Sequence, residues 1–451
     1  MGSHDLVSPN CLQPAHQARG DWGLHVIALL TAIATFPLIF IGGLVTSHHA
    51  GMSVPDWPNS YHYNMFLFPP SKWVGGIFYE HTHRLMASAV GFLSIIMVLW
   101  AWGVARTEFA QRRLIIATCW AGLAAAILGA AVFLIGSAAG QRIAALNLQT
   151  PRGQLIHAML AQAAVGLTGL AAIGVFACFA RTREPRRWVR WLAFGALGMV
   201  LVQGILGGLR VVLVNLDLAI VHACVAQAFF CLATFAAIVT SRWWMDAPVA
   251  DAGTAGRWRV GLGIATVAII YLQLVVGATM RHFDAGLAIP DLPLAYGKLL
   301  PPTTAIGLAA VNHLRAFSLG LEPVTLLQIW LHFGHRLGAI LVSGFVIALA
   351  VSSLRWRGVR GLALPARVLL ALLAAQITLG VLTVLLRKPA DIASLHVAVG
   401  ALVLMTSFLL TARTFRLSSY CVNRSCAKIV EPRTSATDRH SPLTAAFAAN
   451  L

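Results

Sequence analysis

Four histidines stand out by type and spacing. His83 closes the run Glu80-His-Thr-His83 and is followed by Arg84; His335 closes His332-Phe-Gly-His335 and is followed by Arg336. His222 and His396 each open an apolar stretch that follows a Gln-x-x-x-Gly helix and a short turn, with Gln203 and Gly207 before the first, Gln376 and Gly380 before the second. Ionisable residues inside a membrane segment are costly and mark functional sites by default. A neutral imidazole is a good iron ligand, and two imidazoles on facing helices can clamp a haem from both sides. The pairs this suggests are His83 with His222 and His335 with His396. Glu80, three residues before His83, shares its helix face and could handle protons. Its counterpart is His332. Arg84 and Arg336 are placed either to neutralise carboxylates at the polar edge of such a group or to snorkel to the interface. His48, His49, His62, His282 and His313 fall in outer loops.

The matching positions belong to an internal repeat. Ala50-Gly-Met-Ser-Val-Pro-Asp-Trp-Pro58 aligns with Ala285-Gly-Leu-Ala-Ile-Pro-Asp-Leu-Pro293, and each loop leads into one of the His-Arg pairs. These loops read as caps over the histidine sites, with Gly51 and Gly286 giving tight turns and Asp56 and Asp291 tying loop backbone. The step from His83 to His222 is more than twice the step from His335 to His396. The excess is nearly the length of one segment, at about 106–181. Removing it makes the halves match. Within it, Leu155-Ile-His157-Ala-Met-Leu-Ala-Gln162 echoes Ala219-Ile-Val-His222-Ala-Cys-Val-Ala-Gln227, so His157 competes with His222 as the first-half ligand.

The elements that must position these residues are membrane helices. The chain has 451 residues, 58% hydrophobic and 11% charged, with a net charge of +18. A soluble domain carries about 25% charged residues. A soluble globule and a disordered chain are both excluded. Ten apolar runs are long enough to span a bilayer as helix: 24–46, 80–103, 114–136, 154–179, 189–213, 216–241, 260–280, 326–353, 366–386 and 392–412. None alternates like a barrel strand. With the N-terminus inside, the inner segments and tails hold 22 Lys/Arg and the outer segments nine; without the tails the balance is 15 to nine. The positive-inside rule therefore puts both termini in the cytoplasm. The positive charge reads as topology, not as a nucleic-acid surface. The stretch before Trp22 lacks a cleaved-signal pattern. No outer loop holds a cysteine, so no disulfide is expected there.

The predicted fold is thus all-α and polytopic: two parallel-repeat four-helix bundles, the first carrying an inserted helical hairpin. Residues 1–22 form an N-terminal tail, 23–246 the N-terminal half with the hairpin at about 106–181, 247–412 the C-terminal half, and 413–451 a C-terminal tail.

Taken together, Ala50–Pro58, Glu80-x-x-His83-Arg84, His222, Ala285–Pro293, His332-x-x-His335-Arg336 and His396 resemble the haem A synthase family. The resemblance covers most of the chain outside the tails and the 106–181 insertion. It implies an oxidoreductase of the bacterial cytoplasmic membrane, more readily than of the mitochondrial inner membrane, that oxidises a ring methyl of haem O to the formyl group of haem A for cytochrome oxidase. It further implies a prosthetic haem b on His335 and His396, haem O between His83 and His222, and a catalytic Glu80. Arg84 and Arg336 would be the propionate contacts. The implied partners are the prenyltransferase that makes haem O, an electron donor, the bilayer and, in a homo-oligomer, a second copy. Two features depart from the family: ten spans where eight are usual, and no cysteine pair in the first outer loop, which some members carry.

Three other readings are weighed against the same sequence. A dihaem electron-transfer protein would need the same four ligands. A cytochrome b that stacks two haems in one bundle has two histidines about four helical turns apart on one helix, but Met97 and Leu349 stand at those places. A transporter would need broken spans in matching places, and Pro37 has no partner near residue 270. The prenyltransferase itself would need a D-x-x-x-D motif, which is absent.

Overall fold

The computed structural model describes residues 22–61, 63–103, 184–213, 216–246, 255–356 and 361–430. The described residues form helices joined by irregular loops, and eight of these helices are long and apolar enough to cross a membrane. They are α1 (Trp22–Ser47), α2 (Gly76–Ala101), α3 (Arg187–Leu213), α4 (Leu216–Thr240), α6 (Ala255–His282), α8 (Leu326–Leu354), α9 (Ala363–Leu385) and α10 (Ala390–Val430). The short α5 (Arg242–Met245) and α7 (Ala305–Leu314) lie between them. The chain is therefore an all-helical multi-pass membrane protein, and these eight spans are the ones expected from sequence. The other two expected spans, 114–136 and 154–179, and with them His157, lie outside the described residues.

The spans close into two rings. In the first, α1 packs on α2, α2 on α3, α3 on α4 and α4 back on α1. In the second, α6 packs on α8, α8 on α9, α9 on α10 and α10 back on α6. The rings meet where α1 and α4 touch α10 and α4 touches α6. Association inside lipid relies on close packing of small residues and on hydrogen bonds between helices. Gly43 of α1 accordingly lies against Ser394 of α10, and Gly263 of α6 against Thr411 of α10. Tyr271 of α6 donates to the Cys224 carbonyl of α4 at 3.1 Å.

One end of each ring is covered by a loop. Residues 48–75 connect α1 to α2, and 283–325 connect α6 to α8. The second loop is longer because it holds α7 and a π turn (Arg315–Leu319). Both loops lie at the same end of the molecule. Arg281, one residue before the end of α6, donates to the Gly43 carbonyl and to Ser47 Oγ at the end of α1, and Ser47 Oγ lies 2.9 Å from Ser394 Oγ at the start of α10.

Candidate functional site

His83 stands on α2 and His222 on α4, which are diagonal partners in the first ring. His335 on α8 and His396 on α10 are diagonal in the second. Each pair therefore faces across its bundle. The ring centroids are 6.5 Å apart in both, with interplanar angles of 77° and 68°. A glycine on an adjacent helix makes room for each imidazole. A Cβ on Gly42 of α1 would meet His83 Cε1 at 3.0 Å, and one on Gly207 of α3 would meet His222 Cε1 at 3.3 Å. In the second ring, Gly277 of α6 stands 3.1 Å from His335 Cε1 and Gly380 of α9 stands 3.1 Å from His396 Cε1 by the same measure. Gly207 and Gly380 belong to the motifs read from sequence. Gly42 and Gly277 were missed, although Gln273-x-x-x-Gly277 repeats the same pattern.

This arrangement fits a haem. With a ring nitrogen about 2.0–2.1 Å from a metal ion and roughly 1.1 Å from its own centroid, two imidazoles on opposite sides of one ion have centroids about 6.2–6.4 Å apart. Both observed spacings match. Among the described residues, Nδ1 of His83, His222 and His396 is buried without a hydrogen-bond partner, and a backbone carbonyl lies beside each ring, from Leu38, Gln203 and Gln376 respectively. Among the described residues no group of three or more His, Cys, Asp or Glu side chains could hold a bare ion. Two imidazoles alone suit an iron whose remaining donors come from a macrocycle.

The residues next to the ligands build the covering loops. Glu80 is buried and its Oε2 accepts from Val54 N at 2.8 Å, while Oε1 accepts from Arg84 Nη2 at 2.7 Å. His332 does the corresponding work in the second half: its Nδ1 accepts from Ile289 N at 3.2 Å. Arg84 also donates to the carbonyls of Val54, Asp56 and Asn59 at 2.7–2.9 Å. Arg336 donates to those of Ile289 and Leu294 at 2.8 and 3.0 Å. Asp56 Oδ1 accepts from Tyr61 N at 2.7 Å and Asp291 Oδ1 from Tyr296 N at 2.8 Å, so both aspartates tie loop backbone as expected.

The expected part of Gly51 and Gly286 is corrected. The positive-φ backbone of the loops falls instead on His49, Tyr61 and Gly75 in the first and on Asp284, Tyr296, Gly297 and Gly320 in the second. Gly51 is small because the Arg210 guanidinium packs against it, and Gly286 because the Lys388 stem does.

Two further arginines are not singled out by the sequence. Arg210, near the end of α3, acts electrostatically on His83 and His222 and feels Glu80. Arg281 of α6 acts on His396 and His282. Arg84 acts likewise on His83 and Arg336 on His335, so each bundle has two arginines from its own helices near its histidines. The signal of Arg210 and Arg281 in the sequence was a basic residue about one turn past a glycine of the cradle.

Comparison with known proteins decides the family. The model described as COX15-CtaA, cytochrome oxidase assembly protein, matches residues 154–408. The chain belongs to this family. Its matched stretch contains His222, His335 and His396; Glu80 and His83 precede it. Among curated relatives, a protein named Heme A synthase from Rickettsia bellii (strain OSU 85-389) is 32% identical over 133 residues, 30% of this chain and 36% of the relative. The Heme A synthase of Methylobacterium sp. (strain 4-46) is 30% identical over 210 residues, 47% of this chain and 54% of the relative. That of Neorickettsia sennetsu (strain ATCC VR-367 / Miyayama) is 27% identical over 205 residues, 45% and 57%. The chain thus spans between about a third and just over half the length of these relatives.

Proposed function

We propose that this family member is a haem A synthase, an enzyme that oxidises a ring methyl of haem O to the formyl group of haem A. The observation that carries the reading is the double histidine pair: two haem-sized clamps at one end of the molecule, each under its own loop. The relatives' printed name and the family supply the reaction. Written against water, the methyl-to-formyl change releases four electrons and four protons for each oxygen atom gained, so the site needs a way to hold the ring, a route for protons and an oxidant that accepts the electrons.

In this reading His335 and His396 hold a resident haem b, which supplies electron-transfer chemistry when bound. His83 and His222 hold the substrate haem O. The asymmetry between the bundles supports that division. The first has a carboxylate, Glu80, one turn before its ligand, and the second has His332 there. Glu80 takes up protons released at the ring methyl, from a position fixed by Val54 N–H and Arg84. The loop at 48–75 excludes water from the same end. The haem propionates meet Arg210 in the first bundle and Arg281 in the second. Arg84 and Arg336 reach them only past the loop carbonyls they already hold, as through the Arg336 Nε, which is buried without a partner among the described residues.

The protein sits in the bacterial cytoplasmic membrane with both termini in the cytoplasm. It takes haem O from the prenyltransferase that makes it and uses a separate redox partner. The test is expression beside a haem O source, followed by haem extraction and mass spectrometry. Haem A should appear and should vanish with His83→Ala or His222→Ala. Haem O left unchanged by a folded protein that binds haem in both bundles would point to electron transfer without substrate chemistry.

A further inference from the structure

The two clamps match in spacing but differ in what stands behind the first histidine of each. In the second bundle the Gln273 amide lies 3.0 Å from His335 Nδ1 and donates to the His335 carbonyl at 2.8 Å. It fits because position 338 is glycine: a Cβ there would overlap Gln273 Oε1. Counting four residues back from the cradle glycines, Gln273 corresponds to Leu38 of α1. Counting three on from the ligands, Gly338 corresponds to Met86 of α2. The first bundle therefore replaces a small residue and an amide by two apolar side chains, and among the described residues no side chain bonds His83 Nδ1. The second histidines also differ, but at the other ring nitrogen. Gln376 Nε2 lies 3.4 Å from His396 Nε2, against Gly400, whereas Gln203 Nε2 turns to the His222 carbonyl at 3.0 Å and Ala226 stands in place of Gly400.

We infer that Gln273, seated in the space left by Gly338, makes the second bundle a retaining site, and that Leu38 and Met86 make the first an exchanging one. The inference rests on the assignment of the resident haem to the second bundle and of the substrate to the first. A hydrogen-bond partner behind a metal-bound histidine fixes the ring and strengthens the hold on the metal, by about 10–100-fold. An amide suits either state of Nδ1, since its nitrogen donates to a bare ring nitrogen and its oxygen accepts from a protonated one. A permanent cofactor needs that hold. A substrate site has to let its product go, and behind His83 only the Leu38 carbonyl lies beside the ring, with no side chain to fix it.

The experiment measures haem loss from the full-length protein in detergent to apomyoglobin, together with haem per chain. Gln273→Leu should release haem b about 10-fold faster or more. Gly338→Ala should do the same by displacing the amide, and it is a helix-favouring change that leaves Gln273 in place. The double variant Leu38→Gln/Met86→Gly should slow release from the first bundle and raise the haem recovered per chain. Wild-type release rates in both Gln273→Leu and Gly338→Ala would overturn the inference alone. A haem content unaffected by His335→Ala would overturn the assignment of the resident haem and the inference with it.

Discussion

Each of the four imidazoles is set by one glycine and one neighbour, so single substitutions have distinct outcomes. His335→Ala or His396→Ala should abolish the low-spin haem b absorbance of the purified protein, read in a reduced-minus-oxidised spectrum. Either variant keeping that spectrum would displace the pair from its role. Glu80→Gln should leave the haem b spectrum intact and lower haem A formation by about 100-fold or more, the scale of a lost proton acceptor. The arginines that follow the ligands differ in what they leave behind. Arg84→Met strands Glu80, buried and without its cation, and should lower stability by about 3–5 kcal/mol. Arg336→Met strands loop carbonyls and no carboxylate, so the loss should be nearer to about 1.5–3 kcal/mol, the worth of a charged hydrogen bond. Thermal unfolding in detergent compares the two; equal losses would mean that the Glu80–Arg84 pair adds nothing special.

At the scale of helices and loops, the cradle glycines should separate the two sites. Gly42→Val drives a branched side chain into His83, and Gly277→Val does so into His335, each an overpacking of about 1–3 kcal/mol or more. The first should stop haem A formation and spare haem b, and the second should lose haem b; haem content and product assayed together distinguish them. How these elements could be read from sequence varied with the strength of the local signal. Eight spans were legible because a bilayer demands long apolar runs. The loops were legible as a duplicated Pro-Asp-x-Pro motif, and so were the tasks of Asp56 and Asp291. What Glu80 and Arg84 do for the loop was not, because their partners are backbone groups of residues 54–59, and a carbonyl has no sequence signature. Gly42 and Gly277 were hidden for a related reason: glycines are frequent in membrane helices, and only contact with an imidazole on another helix marks these two. Arg210 and Arg281 were passed over because they stand at helix ends, the least certain part of a span.

At the scale of the whole molecule, the contacts of Arg281 with Gly43 and Ser47 put the loops, the histidine pairs and the two nearby arginines at one end. The positive-inside count then says which side of the membrane that end faces. The segment between α8 and α9, which begins at Arg355, lies at the opposite end from the second loop, which carries Lys298 and Arg315. If the inner segments are cytoplasmic, both histidine pairs open toward the outer leaflet, and a redox partner would reach them from that side or within the bilayer. Cysteine labelling tests this directly. Lys298 lies in an exposed turn, and Arg355 caps the end of α8 and is also exposed. In intact cells a membrane-impermeant maleimide should label Lys298→Cys, whereas Arg355→Cys should react only after the membrane is opened. The seven native cysteines give the background and are subtracted with the unsubstituted protein. The reverse pattern would put the histidine pairs on the cytoplasmic side and give the excess of basic residues to the outer face, against the charge rule that oriented the chain.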